Sequence, residues 1–259
     1  MIILGIDVGN THAQVGIIRD GNVHDSVRLS TVHYKTEDEI WLIIDQFLGR
    51  NSLSPLNIDH VCISSVVPGM NFILQKLVEK YFHREAIFIS HEMDLGIQIN
   101  YSNPSQVGPD RLCNAVAAWN IFHDNCIILD FGTATTFDIV YKEGSYEGGI
   151  IAAGLETTNW GLHEKAAMLP RVKFEYPETV IGKETQIAIQ IGLIRGTINL
   201  INGLIREITE ETGRSYKLIT TGGLSKLINP HLIQPVHYEP YLVLNGIHDI
   251  VKRVLTKNV

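Results

Sequence analysis

Residues 2–11 read IILGIDVGNT and residues 127–136 read IILDFGTATT. Each is an apolar run that ends in aspartate, passes one apolar residue to a glycine, then enters small hydroxyl- or amide-bearing residues. The likeness continues downstream. Gly21 lies fourteen residues after Asp7, and Gly144 lies fourteen after Asp130. Arg19-Asp20-Gly21-Asn22 and Lys142-Glu143-Gly144-Ser145 both have the composition of hairpin turns. Each half therefore reads strand, Asp-x-Gly turn, strand, hairpin, strand. Two short strands agree easily by chance; a matching acid, glycine and hairpin offset favour internal duplication.

Working outward, β-branched runs alternate with helical patterns, which predicts an α/β fold. Strands are expected at Ile2–Asp7, Ala13–Ile18, Val23–Leu29, His60–Ser64, Ala86–Ile89, Asn125–Asp130, Thr135–Tyr141, Tyr146–Ala152 and Tyr216–Thr220. Thr36 followed by Glu39 reads as a capping box for a helix from about Glu37. Further helices are expected over Pro109–Phe122, Thr158–Met168, Thr185–Thr212 and Tyr241–Leu255. No low-complexity tether separates the halves, which divide at 1–118 and 119–259.

The chain has 259 residues, 45% hydrophobic and 19% charged, enough apolar material for a sizeable core. Its net charge of −7, without blocks of like charge, favours neither nucleic acid nor an anionic membrane as partner. Three cysteines without a C-x-x-C pair argue against a disulfide framework or zinc site. The first residues carry no basic leader, and no apolar run approaches the roughly 18–20 residues of a membrane span. A soluble, cytoplasmic protein is expected. The histidines lack ligand spacing, Cys113 reads as core, and Trp41, Trp119 and Trp160 read as packing anchors.

The repeated turn has a chemistry of its own. Gly9 and Gly132 have no Cβ, so phosphate could approach the turn amides, with Asn10, Thr11, Thr133 and Thr135 as neutral donors. Asp7 and Asp130 repel phosphate directly and are better suited to holding a cation that offsets its charge. Two such turns facing one another across a cleft would hold a nucleoside triphosphate. No P-loop and no G-x-G-x-x-G is present. Thr220-Thr221-Gly222-Gly223 offers a glycine pair on which adenine or ribose could pack.

These motifs together resemble the type III pantothenate kinases, of the superfamily that holds acetate and sugar kinases, heat-shock chaperone ATPases and actin. The resemblance runs over essentially the whole chain: DVGNT from Asp7, SSVVP from Ser64, YSNPSQVGPDRLCNAVAA from Tyr101, DFGTATT from Asp130, GGIIAAG from Gly148, LPRV from Leu169, IGKET from Ile181 and TGG from Thr221. GPDR at Gly108–Arg111 narrows it to the family. The resemblance implies two RNase H-like domains with the site in the cleft between them. It also implies transfer of the ATP γ-phosphate to the primary hydroxyl of pantothenate, the first step toward coenzyme A.

By the same resemblance Asp110 accepts the hydroxyl proton. Asp7, Val8, Gly9, Asn10, Thr11, His12, Ala13 and Gln14 form the first ATP phosphate segment, and Thr133 is a second ATP contact. Asp130 is the ligand of a monovalent cation, potassium or ammonium, while Mg2+ accompanies ATP. Tyr101, Gly108, Pro109, Asp110, Arg111 and Thr185 match pantothenate-binding positions, Thr185 reaching the site from the partner subunit of a homodimer. A helix start at Pro109 and the neighbouring Arg111 are expected to favour the ionised Asp110. Two departures stand out: Ala153 where proline usually precedes Gly154, and ETTNWG at Glu156–Gly161. The alternative, from another class, is a non-catalytic regulatory or transcription-accessory relative. An ATPase switch such as actin needs larger subdomains than 259 residues hold.

Overall fold

The computed structural model describes residues 1–31 and 35–257. Its elements run β1 (Ile2–Val8), β2 (His12–Arg19), β3 (Asn22–Ser30), α1 (Glu37–Arg50), β4 (His60–Ser65), α2 (Pro68–Phe82), β5 (Ile87–Phe88), β6 (Gln98–Ile99) and α3 (Pro109–Phe122). They continue with β7 (Cys126–Phe131), β8 (Ala134–Tyr141), β9 (Ser145–Ala153), α4 (Leu155–Lys165), α5 (Thr185–Gln190) and α6 (Gly196–Thr212). The chain closes with β10 (Lys217–Gly222), α7 (Ser225–Ile228), β11 (Val236–Tyr238) and α8 (Leu242–Lys257). Two compact units result: residues 1–121, 144–146 and 241–259 form the first, residues 122–143 and 147–240 the second.

The first unit carries a mixed sheet of order β3-β2-β1-β4-β5. β1 pairs antiparallel with β2 and parallel with β4, so Asp7 stands in register with Gln14 on one side and Ser64 on the other. Alternation along β1 decides what lies on each face. Leu4, Ile6 and Val8 join the core built with Ile40, Ile44 and Phe47 of α1 and Leu74, Leu77 and Val78 of α2. Gly5 turns the other way, toward Leu244 of α8, as does Gly16 of β2. A methyl group at Gly16 would lie 2.5 Å from a Leu244 methyl, so helix and sheet touch only because no side chain intervenes. The expected boundary after residue 118 places α8 in the second half, but its apolar face packs here.

The capping box at α1 is formed in both directions: the Glu39 amide donates to Thr36 Oγ1 at 3.3 Å and the Thr36 amide to Glu39 Oε2 at 2.8 Å. α2 is an element that the sequence reading did not anticipate. It opens on Pro68 and buries Met70, Leu74, Leu77, Val78 and Phe82. β6 and β11 were also unanticipated. Strands of two and three residues carry too little periodicity to be recognised.

The second unit holds β11-β10-β7-β8-β9 in the same arrangement; β6 is added against the first residues of β9, which belong to the first unit. β7 pairs antiparallel with β8 and parallel with β10, which sets Asp130 between Thr136 and Thr221. Its core includes Ile127, Leu129 and Phe131 of β7 with Ile198, Ile201, Ile205 and Ile208 of α6.

Between α5 and α6 the chain makes one π-helical stretch, Ile191–Arg195. Among the described residues the continuous helical run Thr185–Thr212 is long and apolar enough, by length and composition, to cross a membrane. This corrects the expectation that no apolar run approaches that length: Gln190, Arg195, Asn199 and Asn202 interrupt the run but leave it apolar on average. Ile194, Ile198, Ile201, Ile205 and Ile208 recur every three to four positions and face the core of this unit. α4 starts at Leu155, before the expected Thr158. Trp160 on it is 52% exposed, which corrects its reading as a buried anchor. Trp41 is an anchor, stacked on Tyr81 at 4.4 Å.

Candidate active site

The β1–β2 turn is closed by the Gly9 amide, which donates to the His12 carbonyl at 3.0 Å. A Cβ on Gly9 would stand 3.1 Å from that oxygen, so the tight closure favours glycine. The end of β3 braces the turn from outside. Thr31 Oγ1 donates to the Gly9 carbonyl at 2.7 Å, and the Thr31 amide donates to the Thr11 carbonyl at 2.9 Å. Asn10 and Thr11 are left exposed at the tip, while Val8 and Ala13 are buried behind it. His12 meets Arg28 at 3.1 Å and Gln14 donates to Ser26 at 3.4 Å, so these two side chains already have partners on β3. The segment Asp7–Gln14 therefore offers an exposed, rigidly held tip with hydroxyl and amide donors.

Asp7 itself is held from β4. The fully buried Ser64 donates its hydroxyl to Asp7 Oδ1 at 3.0 Å and is also in hydrogen-bond contact with the Cys113 thiol of α3. Ser64 appeared in the sequence only within a quoted motif, without a role. The parallel register Asp7 to Ser64 is what gives it one, and no local pattern announces that register.

α3 brings the second acid. Asp110 sits in its first turn and accepts the Arg111 amide at 2.8 Å. The carboxylate folds back over Gly108: a Cβ there would lie 2.4 Å from Asp110 Oδ1 and 3.4 Å from a Val66 methyl. A side chain at Gly108 would thus displace the Asp110 carboxylate, and Pro109 opens the helix behind it. Burial pushes the Asp110 carboxyl above the ordinary carboxylate range, and the Arg111 amide and charge offset this only in part. The expectation that helix start and arginine would hold Asp110 below its usual range is corrected, because desolvation outweighs both.

The Cys113 thiol, in the next turn, is pushed up by its own burial and then by the charges of Asp7 and Asp110. One buried atom thus senses both acids, which puts them around a common point in the first unit. α3 is fixed there by α8: a Cβ on Gly246 would stand 2.0 Å from the Cys113 carbonyl oxygen, so the two helices meet backbone to backbone. Arg111 is buried at 8% exposure, and Tyr101 stands 37% exposed on the segment before α3.

The second Asp-x-Gly turn is built differently. The Gly132 amide donates to the Ala134 carbonyl at 3.0 Å, and the Thr133 carbonyl accepts both Thr157 Oγ1 at 2.6 Å and the Gly154 amide at 3.2 Å. Gly154 has no room for a side chain, since a Cβ would sit 2.5 Å from the carbonyl oxygens of Gly132 and Thr133. Ala153 before it leaves that contact intact. Gly132 and Thr133 are exposed, and Asp130 is half-buried between two threonine-bearing strands.

Gly222, at φ +89°, spends its missing Cβ on the backbone of Phe131, 2.6 Å from its oxygen, and not on an open platform as the Gly-Gly pair suggested. Gly223 remains exposed. Thr185 is exposed at the start of α5. Of the sequence-selected residues, the first unit thus holds Asp7–Gln14, Tyr101 and Gly108–Arg111, and the second holds Asp130, Thr133 and Thr185. Among the described residues no three His, Cys, Asp or Glu side chains gather as a metal centre.

The fold has many relatives. A Campylobacter jejuni protein described as a conserved Baf family transcriptional activator superimposes with a TM-score of 0.60 at 18% identity over 100% of both chains. The activator of 2-hydroxyisocaproyl-CoA dehydratase from Clostridium difficile, with bound ADPNP, gives 0.58 at 11% identity over 99% of this chain and 95% of its own. A ROK family glucokinase from Streptomyces griseus, in complex with glucose and AMPPNP, gives 0.55 at 13% identity over 99% and 100%. At these identities the likeness establishes the α/β fold with mixed sheets and no more. The sequence itself goes further, because a family model matches residues 3–207. With both acids, GPDR and the exposed glycine turn on one scaffold, the chain belongs to the type III pantothenate kinase family.

Proposed function

We propose that this protein transfers the γ-phosphate of ATP to the primary hydroxyl of pantothenate, giving 4′-phosphopantothenate, and that its two units are duplicated RNase H-like folds. Equal strand orders around β1 and β7 support the duplication. The observation that carries the kinase reading is the pair Asp7 and Asp110 about Cys113, beside an exposed turn of neutral donors. A carboxylate of raised pKa is a stronger proton acceptor, provided it is ionised at working pH. Phosphoryl transfer needs chiefly positioning and charge neutralisation; the oriented acid and the donor-rich turn serve the positioning, and cations would supply the neutralisation.

In this reading Asp110 orients the acceptor hydroxyl and receives its proton. The Asp7–Gln14 segment holds ATP phosphate, and Asp7 sets the water shell of the Mg2+ that accompanies ATP. Thr133 makes a second ATP contact. Asp130, with threonines in register on both neighbouring strands, offers the hard oxygen donors that suit potassium or ammonium. Tyr101, Gly108, Pro109 and Arg111 receive pantothenate.

Thr185 serves the partner's site in a homodimer. This is supported by its exposure and by the large apolar side chains left open on the second unit, Ile181 at 79% and Met168 at 92% among them. Light scattering of the purified protein should return twice the chain mass.

A coupled assay with ATP, Mg2+ and K+ tests the reaction. Phosphopantothenate should form, and substitution of Na+ for K+ should slow it; indifference to the swap removes the assignment of Asp130. The second reading, a non-catalytic regulator, draws on the fold shared with the Campylobacter jejuni protein. Complete inactivity of the folded dimer on pantothenate would favour it.

A further inference from the structure

Tyr146 belongs to no motif considered above, yet it joins two of the residues assigned to the acceptor. It lies in β9 at 0% exposure, within the first unit. Its backbone holds the strand that leads to Tyr101: the Gln98 amide donates to the Gly144 carbonyl and the Asn100 amide to the Tyr146 carbonyl, both at 2.8 Å. In the parallel pairing of β6 with β9, Ile99 stands opposite Tyr146. Its ring does the rest. The Tyr101 ring lies 6.3 Å away at an interplanar angle of 49°, within the range of favourable aromatic pairs. The Arg111 guanidinium carbon lies 5.9 Å from the same ring centroid.

A guanidinium over an aromatic face is drawn by the ring quadrupole, and the attraction grows as water is excluded. Here both partners are buried, at 0% and 8% exposure. Arg111 is a long side chain with many rotamers, and Tyr101 is attached to a short irregular segment. One buried ring in contact with both limits the freedom of each before any ligand arrives.

We propose that Tyr146 is a positioning residue for the acceptor substrate, setting the guanidinium of Arg111 and the ring of Tyr101 through contacts with its own ring. Being fully buried, it acts through those two side chains and not by touching the substrate. The proposal rests on the pantothenate kinase reading and deepens it: affinity for the acceptor depends on the π face of Tyr146, and affinity for ATP does not.

Steady-state kinetics against pantothenate and ATP, with thermal melts, test this on the wild type, Tyr146→Phe, Tyr146→Leu and a ring-trifluorinated phenylalanine at position 146. Tyr146→Phe keeps the face and should stay within about twofold in both KM values, whereas the fluorinated ring keeps the shape, weakens the quadrupole and should raise the pantothenate KM about three- to fivefold. Tyr146→Leu should raise it about tenfold, with the ATP KM within about twofold in every variant. If the leucine variant fails to fold, the isosteric fluorinated ring still decides.

A purely structural role would shift both KM values alike, and that outcome overturns the proposal. An unchanged pantothenate KM in the fluorinated variant of an active enzyme overturns it alone. A folded wild type that does not turn over pantothenate overturns the functional reading and this inference with it.

Discussion

The two Asp-x-Gly corners start from nearly the same ten residues and end with different surroundings. At the first, a buried serine on the neighbouring parallel strand donates to Asp7, and a second acid, Asp110, shares its vicinity through Cys113. At the second, the parallel neighbour in register with Asp130 is Thr221, and the turn carbonyl is taken up by the start of α4. The first turn is braced by a strand end, the second by a helix start. A shared pattern therefore supplies the scaffold, and what packs beside it sets the difference: a second acid near the first corner, threonine-bearing strands on both sides of the acid at the second.

The sharpest way to break this contrast is Asp110→Asn. Loss of the base should cut turnover by about 10²–10⁴-fold with the fold intact by circular dichroism. The raised pKa adds a stability signature. A carboxyl raised in the folded state binds its proton more tightly there than in the unfolded chain, so stability falls as pH rises from the unfolded to the folded pKa. At pH 7 the asparagine variant should melt higher than wild type, and the advantage should shrink as pH falls from the raised folded value toward the ordinary carboxylate value. A lower melting temperature at pH 7 would mean that burial does not dominate at Asp110.

Gly154→Ala attacks the second corner. Its methyl would meet two carbonyl oxygens at 2.5 Å, and the strain should cost about 1–3 kcal/mol in chemical denaturation and weaken the response to K+. Ser64→Ala attacks the first corner more gently. Loss of a hydrogen bond to a charged group, about 1.5–3 kcal/mol, should raise the ATP KM by about tenfold or more while pantothenate KM holds. Equal shifts in both would deny Asp7 a separate role in holding ATP. Thr36→Ala removes the cap of α1 and no contact to either acid, and should cost only about 0.5–2 kcal/mol of stability, leaving both KM values as they are.

How far the sequence reaches differs by element. The paired corners, the hairpins and the α1 cap were legible because their signals are local: an acid, a glycine or a hydroxyl at fixed spacing along one segment. α2 escaped because no side-chain cap marks its start, and β6 and β11 because they are too short to show a period. Trp160 was misjudged because exposure is a property of what packs on a helix, not of the residue type.

By itself the sequence determined where two acids and two glycine turns end their strands, since strand alternation and turn chemistry depend on neighbours along the chain. Only the tertiary structure decided that Ser64 faces Asp7, that Gly246 lets α8 rest on the backbone of α3, that burial outweighs Arg111 at Asp110, and that Tyr146 joins Arg111 to Tyr101. Each of these is a contact between residues remote in sequence, and strand register, helix approach and desolvation exist only once the chain has closed upon itself.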